Sequence, residues 1–455
     1  MSIRSQISSE IRASLVLALP LAGAQMAQSA IAFVDTAMMG QLGSQTLAAG
    51  GLGAISFGAL LIIGSGIVAA VSPLAAEAYG AGQTQKVGQV IRQGFGLTVL
   101  VALPIMVLIW NMRSLLTWLG QPQELLAQTE LYLRAIVWGY LPGLGFAVLK
   151  DFASAISQPR AVIIITICSV PLNIVGNDVL MYGKFGLPAL GLEGVGWSST
   201  IVLWSMFLAI ALYVRSQRQF KIYGIFQGFP QFDRGMIQEL LHIGLPIGII
   251  AFVETGLFTV TTFLIGQIGV APLAAHQIAL ETAGVTFRIP LGIAFATTIR
   301  VGQLVGQNNL RGARFAGYVG IALGAAFMCS TAILFWTIPR PIVALFLDVQ
   351  DPANAAVVEL AQVLLGVAAT FQLFDGIQVI AVGALRGLKD THIPMLIGIF
   401  AYWGIGLASG YGLGMVLGWG AVGLWWGLAL GLAVAAGVLT WRFSTIQLRT
   451  AGQIR

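Results

Sequence analysis

Four carboxylates in this chain sit where a carboxylate is costly. Asp35 lies in SAIAFVDTAMMG, Glu254 in IIAFVETGLFTV, Asp375 in TFQLFDGIQVI, and Glu281 in the apolar run that follows LAAHQIAL. A charged side chain at the centre of a bilayer costs about 2.5–3.5 kcal/mol on insertion scales, so each needs a reason. One reading is reversible binding of a small cation, H⁺ or Na⁺, which changes the relative energy of two conformations. The other is an acid simply hydrogen-bonded inside a helix bundle. Asn173 and Asn177, in PLNIVGNDVLMYG, are four residues apart and share a helix face. They either complete a polar pocket with Asp35 or act as interhelical glue. Glu281 and Arg288 are seven residues apart, two helical turns, and also share a face. They are expected to neutralise each other, or Arg288 serves a cavity acid such as Glu254. Asp178 reads as a solvated helix end.

The elements that carry these residues follow from composition. Hydrophobic residues make up 57% of 455 and charged residues only 9%, against about 25% charged in a soluble domain. The mean hydropathy is +0.89. The solvent is therefore lipid. Apolar segments are expected near 14–38, 47–76, 92–111, 127–149, 161–181 and 193–214, then 241–264, 273–299, 316–337, 356–384, 393–416 and 420–441. The expected fold class is an all-α integral membrane protein of twelve transmembrane helices.

The chain also repeats itself at an offset of 226 residues. GQLGSQTLAA begins at Gly40 and GQIGVAPLAA at Gly266; Pro20 matches Pro246, Gly66 matches Gly292, and Gly80 matches Gly306. A constant offset over such a length means two copies of one unit. The expected organisation is a six-helix lobe over 1–214, a linker over 215–240 and a second six-helix lobe over 241–455. Duplicated bundles of this kind place substrate and coupling-ion sites at membrane depth and expose them alternately to each side. Asp35 maps to Thr261 and Glu254 to Gln28, so each lobe carries its own acid at a different position. Gln28 joins the candidate polar network on that ground.

Charge sets the orientation. Of the 23 Lys and Arg, three (Arg113, Lys184, Arg340) fall in loops opposite the termini and two (Arg134, Arg288) within spans. The remaining eighteen, Arg4, Arg449 and Arg455 among them, lie on the side of the termini. The positive-inside rule then makes both termini and the linker cytoplasmic, in the cell (inner or plasma) membrane. The pI near 9.5 reports topology, not nucleic-acid binding. Trp118, Trp336 and Trp419 read as interfacial anchors. Met26, Met38, Met39, Phe252, Phe258 and Phe371 either line a cavity for flat organic cations or pack against lipid and core.

Several classes are disfavoured. Cys168 and Cys329 are isolated, and His242, His276 and His392 are scattered; no metal-ligand spacing and no nucleophile elbow occurs. An intramembrane enzyme and a bound cofactor are not expected. The polar start, MSIRSQISSEIRASL, lacks a small-residue cleavage site and reads as no removable signal peptide.

VDTAMMGQLG, LAAHQIAL, ATTIRVGQLVG, GALRGLKDT and the run from Pro171 to Ile201 together resemble the multidrug and toxic compound extrusion (MATE) transporters, the NorM-type bacterial branch most closely. The resemblance covers nearly the whole chain. It implies two lobes of six helices around a central cleft and export of cationic amphipathic drugs in exchange for Na⁺ or H⁺. It assigns cation coupling to Asp35, with Asn173, Asn177 and Thr200 as polar neighbours, and to Glu254 with Asp375, where Na⁺ could also bind. Two departures stand out. Phe371 occupies the place of a tyrosine found beside the C-lobe acids of some sodium-coupled members, and a hard cation wants oxygen ligands. Glu281 and Arg288 replace residues that are usually uncharged in the family.

The expected activity is therefore a cation-coupled antiporter with organic cations, the coupling ion and the bilayer as partners, working as a monomer. A flippase for a lipid-linked precursor, or an exporter of another amphipathic metabolite, is the alternative. A flippase would want a strongly cationic cavity, whereas the embedded charges here are mostly acidic. A channel fits the hydropathy but not the duplication.

Overall fold

The structure, a computed structural model, describes residues 3–227 and 232–446. Arg449 and Arg455, the side chain of Arg4, and linker residues 228–231 lie outside the described residues. Among the described residues, twelve helices are long and apolar enough to cross a membrane: Gln6–Gln41, Ser44–Gly80, Thr84–Trp110, Gln123–Ala155, Arg160–Tyr182, Leu192–Ser216, Arg234–Ile268, Val270–Gly306, Leu310–Thr337, Pro352–Gly387, His392–Val416 and Gly420–Thr445. They are called the first to twelfth spans below. Each overlaps one apolar segment read from the sequence, and most extend beyond it. Helix is what lipid demands, because no water is available to satisfy an open backbone. The described residues contain no strand.

Large apolar side chains face outward along these helices, among them Phe33, Ile55, Ile164, Leu212 and Phe263. Without a hydrophobic force between helices, association relies on close packing and on polar contacts. Trp118, Trp336 and Trp419 are all exposed near span ends on the side opposite the termini.

The chain divides into two compact units, and the boundaries do not fall in the 215–240 linker. One unit is Gly23–Gly248; the other joins the chain up to Ala22 to the chain from Ile249 onward. The breaks lie inside the first and seventh spans, two residues after Pro20 and Pro246, each a proline within a helix. Proline removes one helical hydrogen bond and crowds the preceding turn, so each break coincides with a weak point in its helix. The break points are 226 residues apart, the repeat offset itself.

Within the Gly23–Gly248 unit, a Cβ on Gly66 would lie 2.7 Å from the Gly248 Cα; within the other, a Cβ on Gly292 would lie 2.6 Å from the Ala22 backbone nitrogen. These are equivalent crossings in the two repeats, and only glycine permits either. The turns after the first and seventh spans are equivalent too. Gly43 has φ +110° and Gly269 φ +154°, conformations that other residues avoid.

Polar contacts hold the span ends in each unit. Arg300 pairs with Glu10 through two hydrogen bonds of 2.9 and 2.7 Å. In the other unit the described part of the linker is docked rather than loose. Arg92 donates to the Gly224 carbonyl at 2.7 Å, Gln89 donates to Asp233 at 2.7 Å, and Phe220 and Tyr223 pack edge-on against Phe152. The seventh span starts at Arg234, inside the segment read as linker.

Candidate functional site

Asp35 stands late in the first span, and its carboxylate meets three side chains from two other spans. Asn173 and Asn177 of the fifth span donate to Oδ1 at 2.9 and 2.7 Å, and Ser199 of the sixth donates to Oδ2 at 3.2 Å. Asn173 and Asn177 are fully buried. Their four-residue spacing stacks them on one face, and Asn177 Nδ2 also reaches Asn173 Oδ1 at 3.4 Å. Asn177 Oδ1 is buried with no partner. The buried ring of Tyr132 lies within electrostatic range of Asp35. Every described hydrogen-bond partner of this carboxylate is neutral, and no described Lys or Arg forms an ion pair with it.

Thr200 is adjacent in sequence but turned away. Its hydroxyl donates to the Ala135 carbonyl of the fourth span at 2.8 Å, a tie between helices. Ser199 takes the place beside Asp35 that the sequence reading gave to Thr200. One residue is 100° of helix rotation, and only the packed structure shows which of the two faces the acid. Gln28 is exposed and takes no part in this cluster.

The second constellation belongs to the other unit. Glu254 of the seventh span and Asp375 of the tenth are electrostatic neighbours. Asp375 is 6% exposed and its Oδ1 has no hydrogen-bond partner. Phe371, one turn before Asp375, is a packing residue; its ring lies edge-on to Trp425 at 5.5 Å and Phe258 at 6.0 Å. Trp425 Nε1 donates to His276 Nδ1 at 3.1 Å, and His276 Nε2 lies 2.8 Å from Thr262 Oγ1. The indole has only a donor, so Nδ1 must accept and Nε2 must carry the proton. Thr262 in turn donates to the Phe258 carbonyl at 2.9 Å. This buried imidazole is thus satisfied at both nitrogens as the neutral tautomer.

Three further residues join the acids. Tyr402, fully buried on the eleventh span, lies within electrostatic range of Glu254 and Asp375. Its Oη accepts from Gln378 Nε2 at 2.6 Å. Arg386, at the end of the tenth span, is an electrostatic neighbour of Glu254, and its Nε is buried without a partner. Gln378 was legible as a companion of Asp375, since it lies three residues on along the same helix. Tyr402 was not, because the eleventh span is π-helical over Phe400–Leu407, which moves its side chains off the α-helical phase.

The remaining charges stand apart. Arg288 is half-buried and Glu281 exposed; they are electrostatic neighbours that form no salt bridge among the described residues. Arg134 pairs with Glu130 and lies 5.3 Å over the Trp110 ring. Asp178 pairs with Lys184 at 2.7 Å and is half-buried.

Comparison with known proteins agrees with this architecture. The MatE family model matches residues 20–179 and 246–411, two segments that begin on Pro20 and Pro246. A probable multidrug resistance protein NorM of Synechococcus sp. is 43% identical over 97% of this chain and 95% of its own. A namesake from Pseudomonas aeruginosa is 43% identical over 95% of this chain and 89% of its own. Among solved structures, a MATE transporter of Vibrio cholerae superposes with TM-score 0.87 at 17% identity, covering 97% of both chains. The eukaryotic MATE transporter AtDTX14 gives 0.85 at 20% identity, also over 97% of both. At such identities the structures speak for the fold, and the sequence relatives for the lineage. The chain belongs to the MatE family of multi-pass membrane transporters, in its bacterial NorM branch.

Proposed function

We propose that this protein exports cationic, amphipathic organic compounds across the cell membrane in exchange for inward-moving H⁺ or Na⁺. The observation that carries the reading is the Asp35 cluster. A carboxylate at membrane depth receives three hydrogen bonds, all from neutral groups. Such donors soften the desolvation of the charge without cancelling it. An exchangeable cation, either the coupling ion or a cationic substrate, completes the site. Glu254 and Asp375 supply a second acidic locus in the other unit. The names of the relatives, multidrug resistance proteins, point to the same substrate class.

Exchange by alternating access requires that each ligand bind the two conformations differently, since equal affinity shifts no equilibrium. Coupling-ion binding at Asp35, at Glu254 with Asp375, or at both favours one conformation and weakens substrate binding. The termini and linker lie in the cytoplasm, on the side where the Lys and Arg accumulate. One chain carries both repeats and works as a monomer.

The test is efflux of a fluorescent organic cation from proteoliposomes, with a pH gradient or a Na⁺ gradient imposed separately. Wild-type protein responds to at least one gradient, and Asp35→Asn abolishes the response while inserting normally. Efflux by Asp35→Asn at the wild-type rate would remove Asp35 from the mechanism. Folded wild-type protein that ignores both gradients would overturn the antiport reading.

A further inference from the structure

The start of the linker is built on a period of three. Residues Arg218–Tyr223 form a 3₁₀ helix, and at three residues per turn the side chains at i and i+3 stand in one column. Phe220 and Tyr223 form one column and are buried, their rings 5.8 and 5.4 Å from that of Phe152. Arg218 and Lys221 form a second column, Gln219 and Ile222 a third, and all four are exposed. Arg215, in the last turn of the sixth span, continues the spacing of the cations and is exposed too. The third span fixes this platform. Arg92 donates to the Gly224 carbonyl at 2.7 Å, and Gly88 meets the Tyr223 carbonyl so closely that any side chain there would collide with it.

Three cations close together in sequence are thus held outward with nothing to answer them. Among the described residues, none of Arg215, Arg218 and Lys221 has an ion-pair or side-chain hydrogen-bond partner. The stretch from Leu212 to Gln227 contains no acid. Acids at this end of the unit are engaged elsewhere: Asp233 accepts from Gln89 and from the Met236 backbone, and Asp151 lies 3.7 Å from Lys150. Apolar side chains flank the cations. Leu208, Leu212 and Arg215 lie at i, i+4 and i+7 on one face of the sixth span. Both leucines are exposed, as befits a face that meets acyl chains. The cations therefore begin where the lipid face ends, at headgroup level. Beside them Ile222 is 62% and Phe226 47% exposed. Cations interleaved with outward apolar side chains are the composition of segments that lie in a membrane interface.

We propose that residues 215–226 form a docking surface for anionic phospholipid of the cytoplasmic leaflet. Arg215, Arg218 and Lys221 hold the headgroup phosphates, and Ile222 and Phe226 enter the acyl boundary. The inference goes beyond the transport reading and uses only the placement of this segment at the membrane surface. A guanidinium fork matches phosphate oxygens in pairs, and a lysine adds a point charge. Near an anionic surface each basic residue strengthens binding by about fivefold. The contact is exposed, so added salt weakens it. A soluble acidic protein would answer the cations but would leave the apolar pair without its lipid, which is why the two kinds of residue together favour a membrane.

The experiment is native mass spectrometry of the purified full-length protein, released from micelles holding equal amounts of phosphatidylglycerol and phosphatidylcholine. Wild type retains the anionic lipid over the zwitterionic one by about tenfold or more. The clustered triple variant, Arg215→Gln with Arg218→Gln and Lys221→Gln, loses most of that preference. A dispersed triple, Arg160→Gln with Arg234→Gln and Arg311→Gln, removes the same charge from three separate exposed sites and keeps it. Thermal melting in phosphatidylcholine checks that each variant is folded. If the clustered triple is not, Lys221→Gln alone carries the test, with a loss of about fivefold. Excess soluble glycerol phosphate leaves the lipid in place. Equal retention of both lipids by wild type would leave a soluble acidic partner as the occupant and overturn the proposal. So would equal losses in the two triples, which would reduce the effect to net charge. Displacement by glycerol phosphate would make this a soluble-anion site and overturn it too. The readout is lipid retention, so the proposal can fail while the transport reading stands, and the reverse.

Discussion

The two halves of this chain descend from one repeat, yet they treat their acids in opposite ways. Asp35 is well supplied with donors. Oδ1 accepts two hydrogen bonds and Oδ2 one, out of roughly four lone-pair positions on a carboxylate. One lone-pair position on Oδ2 and the unpartnered Asn177 Oδ1 are what remain there. The acids of the other unit have the reverse problem. Asp375 Oδ1 and Gln378 Oε1 lack partners, and the nearby cation, Arg386, forms no described ion pair with either acid. Duplication kept the scaffold, while the side chains around the acids diverged.

The sharpest way to break that contrast is to neutralise each half in turn. Asp35→Asn keeps the shape and a hydrogen-bonding amide but removes the charge; efflux driven by a pH gradient falls to background. Asp375→Asn leaves the pH-driven component measurable and removes the response to Na⁺. Measuring both variants under both gradients gives four rates. If Asp375→Asn also abolishes the pH-driven component, or Asp35→Asn loses only the Na⁺ response, the division of labour is wrong.

A smaller effect tests whether the scaffold is as symmetric as its sites are not. Gly66→Val and Gly292→Val each place a side chain where the equivalent helix crossing leaves none. Overpacking of this kind costs about 1–3 kcal/mol, and the colliding atoms here are backbone and, at Gly292, the equally rigid Ala22 Cβ. Both variants should melt at lower temperature by similar amounts. A large loss for one with none for the other would mean that the two crossings are not equivalent in strength.

Much of this was legible before folding. The repeat offset, the twelve apolar runs and the four acids in them are properties of residue order alone. So was the pairing of Asn173 with Asn177, because an i, i+4 spacing fixes a shared face whatever surrounds it. What escaped depended on rotation between helices or on departures from regular helix. Ser199 and Thr200 are both hydroxyl residues on the sixth span, and nothing in the sequence says which turns toward the first. Tyr402 sits in a π-helical stretch that an ideal 3.6-residue period does not anticipate. The unit boundary escaped as well, because a polar linker is conspicuous, whereas a division inside two apolar helices shows only as Pro20 and Pro246.

The finest test concerns Ser199 and Thr200, neighbours with different partners. Ser199 donates to Asp35 at 3.2 Å, a long bond to a charged acceptor, while Thr200 donates to the Ala135 carbonyl at 2.8 Å. Ser199→Ala removes one of three donors from the carboxylate and should shift the coupling-ion concentration for half-maximal efflux by about three- to tenfold, the range of a single hydrogen bond. Thr200→Val keeps the volume and loses only the tie to the fourth span. It should lower thermal stability by about 1 kcal/mol and leave the ion dependence where it was. Ion dependence is therefore the deciding readout, because a purely structural role moves stability and not coupling. If Thr200→Val shifts the ion dependence more than Ser199→Ala does, the first-span acid draws on the face of the sixth span that carries Thr200, and the donor set around Asp35 must be redrawn.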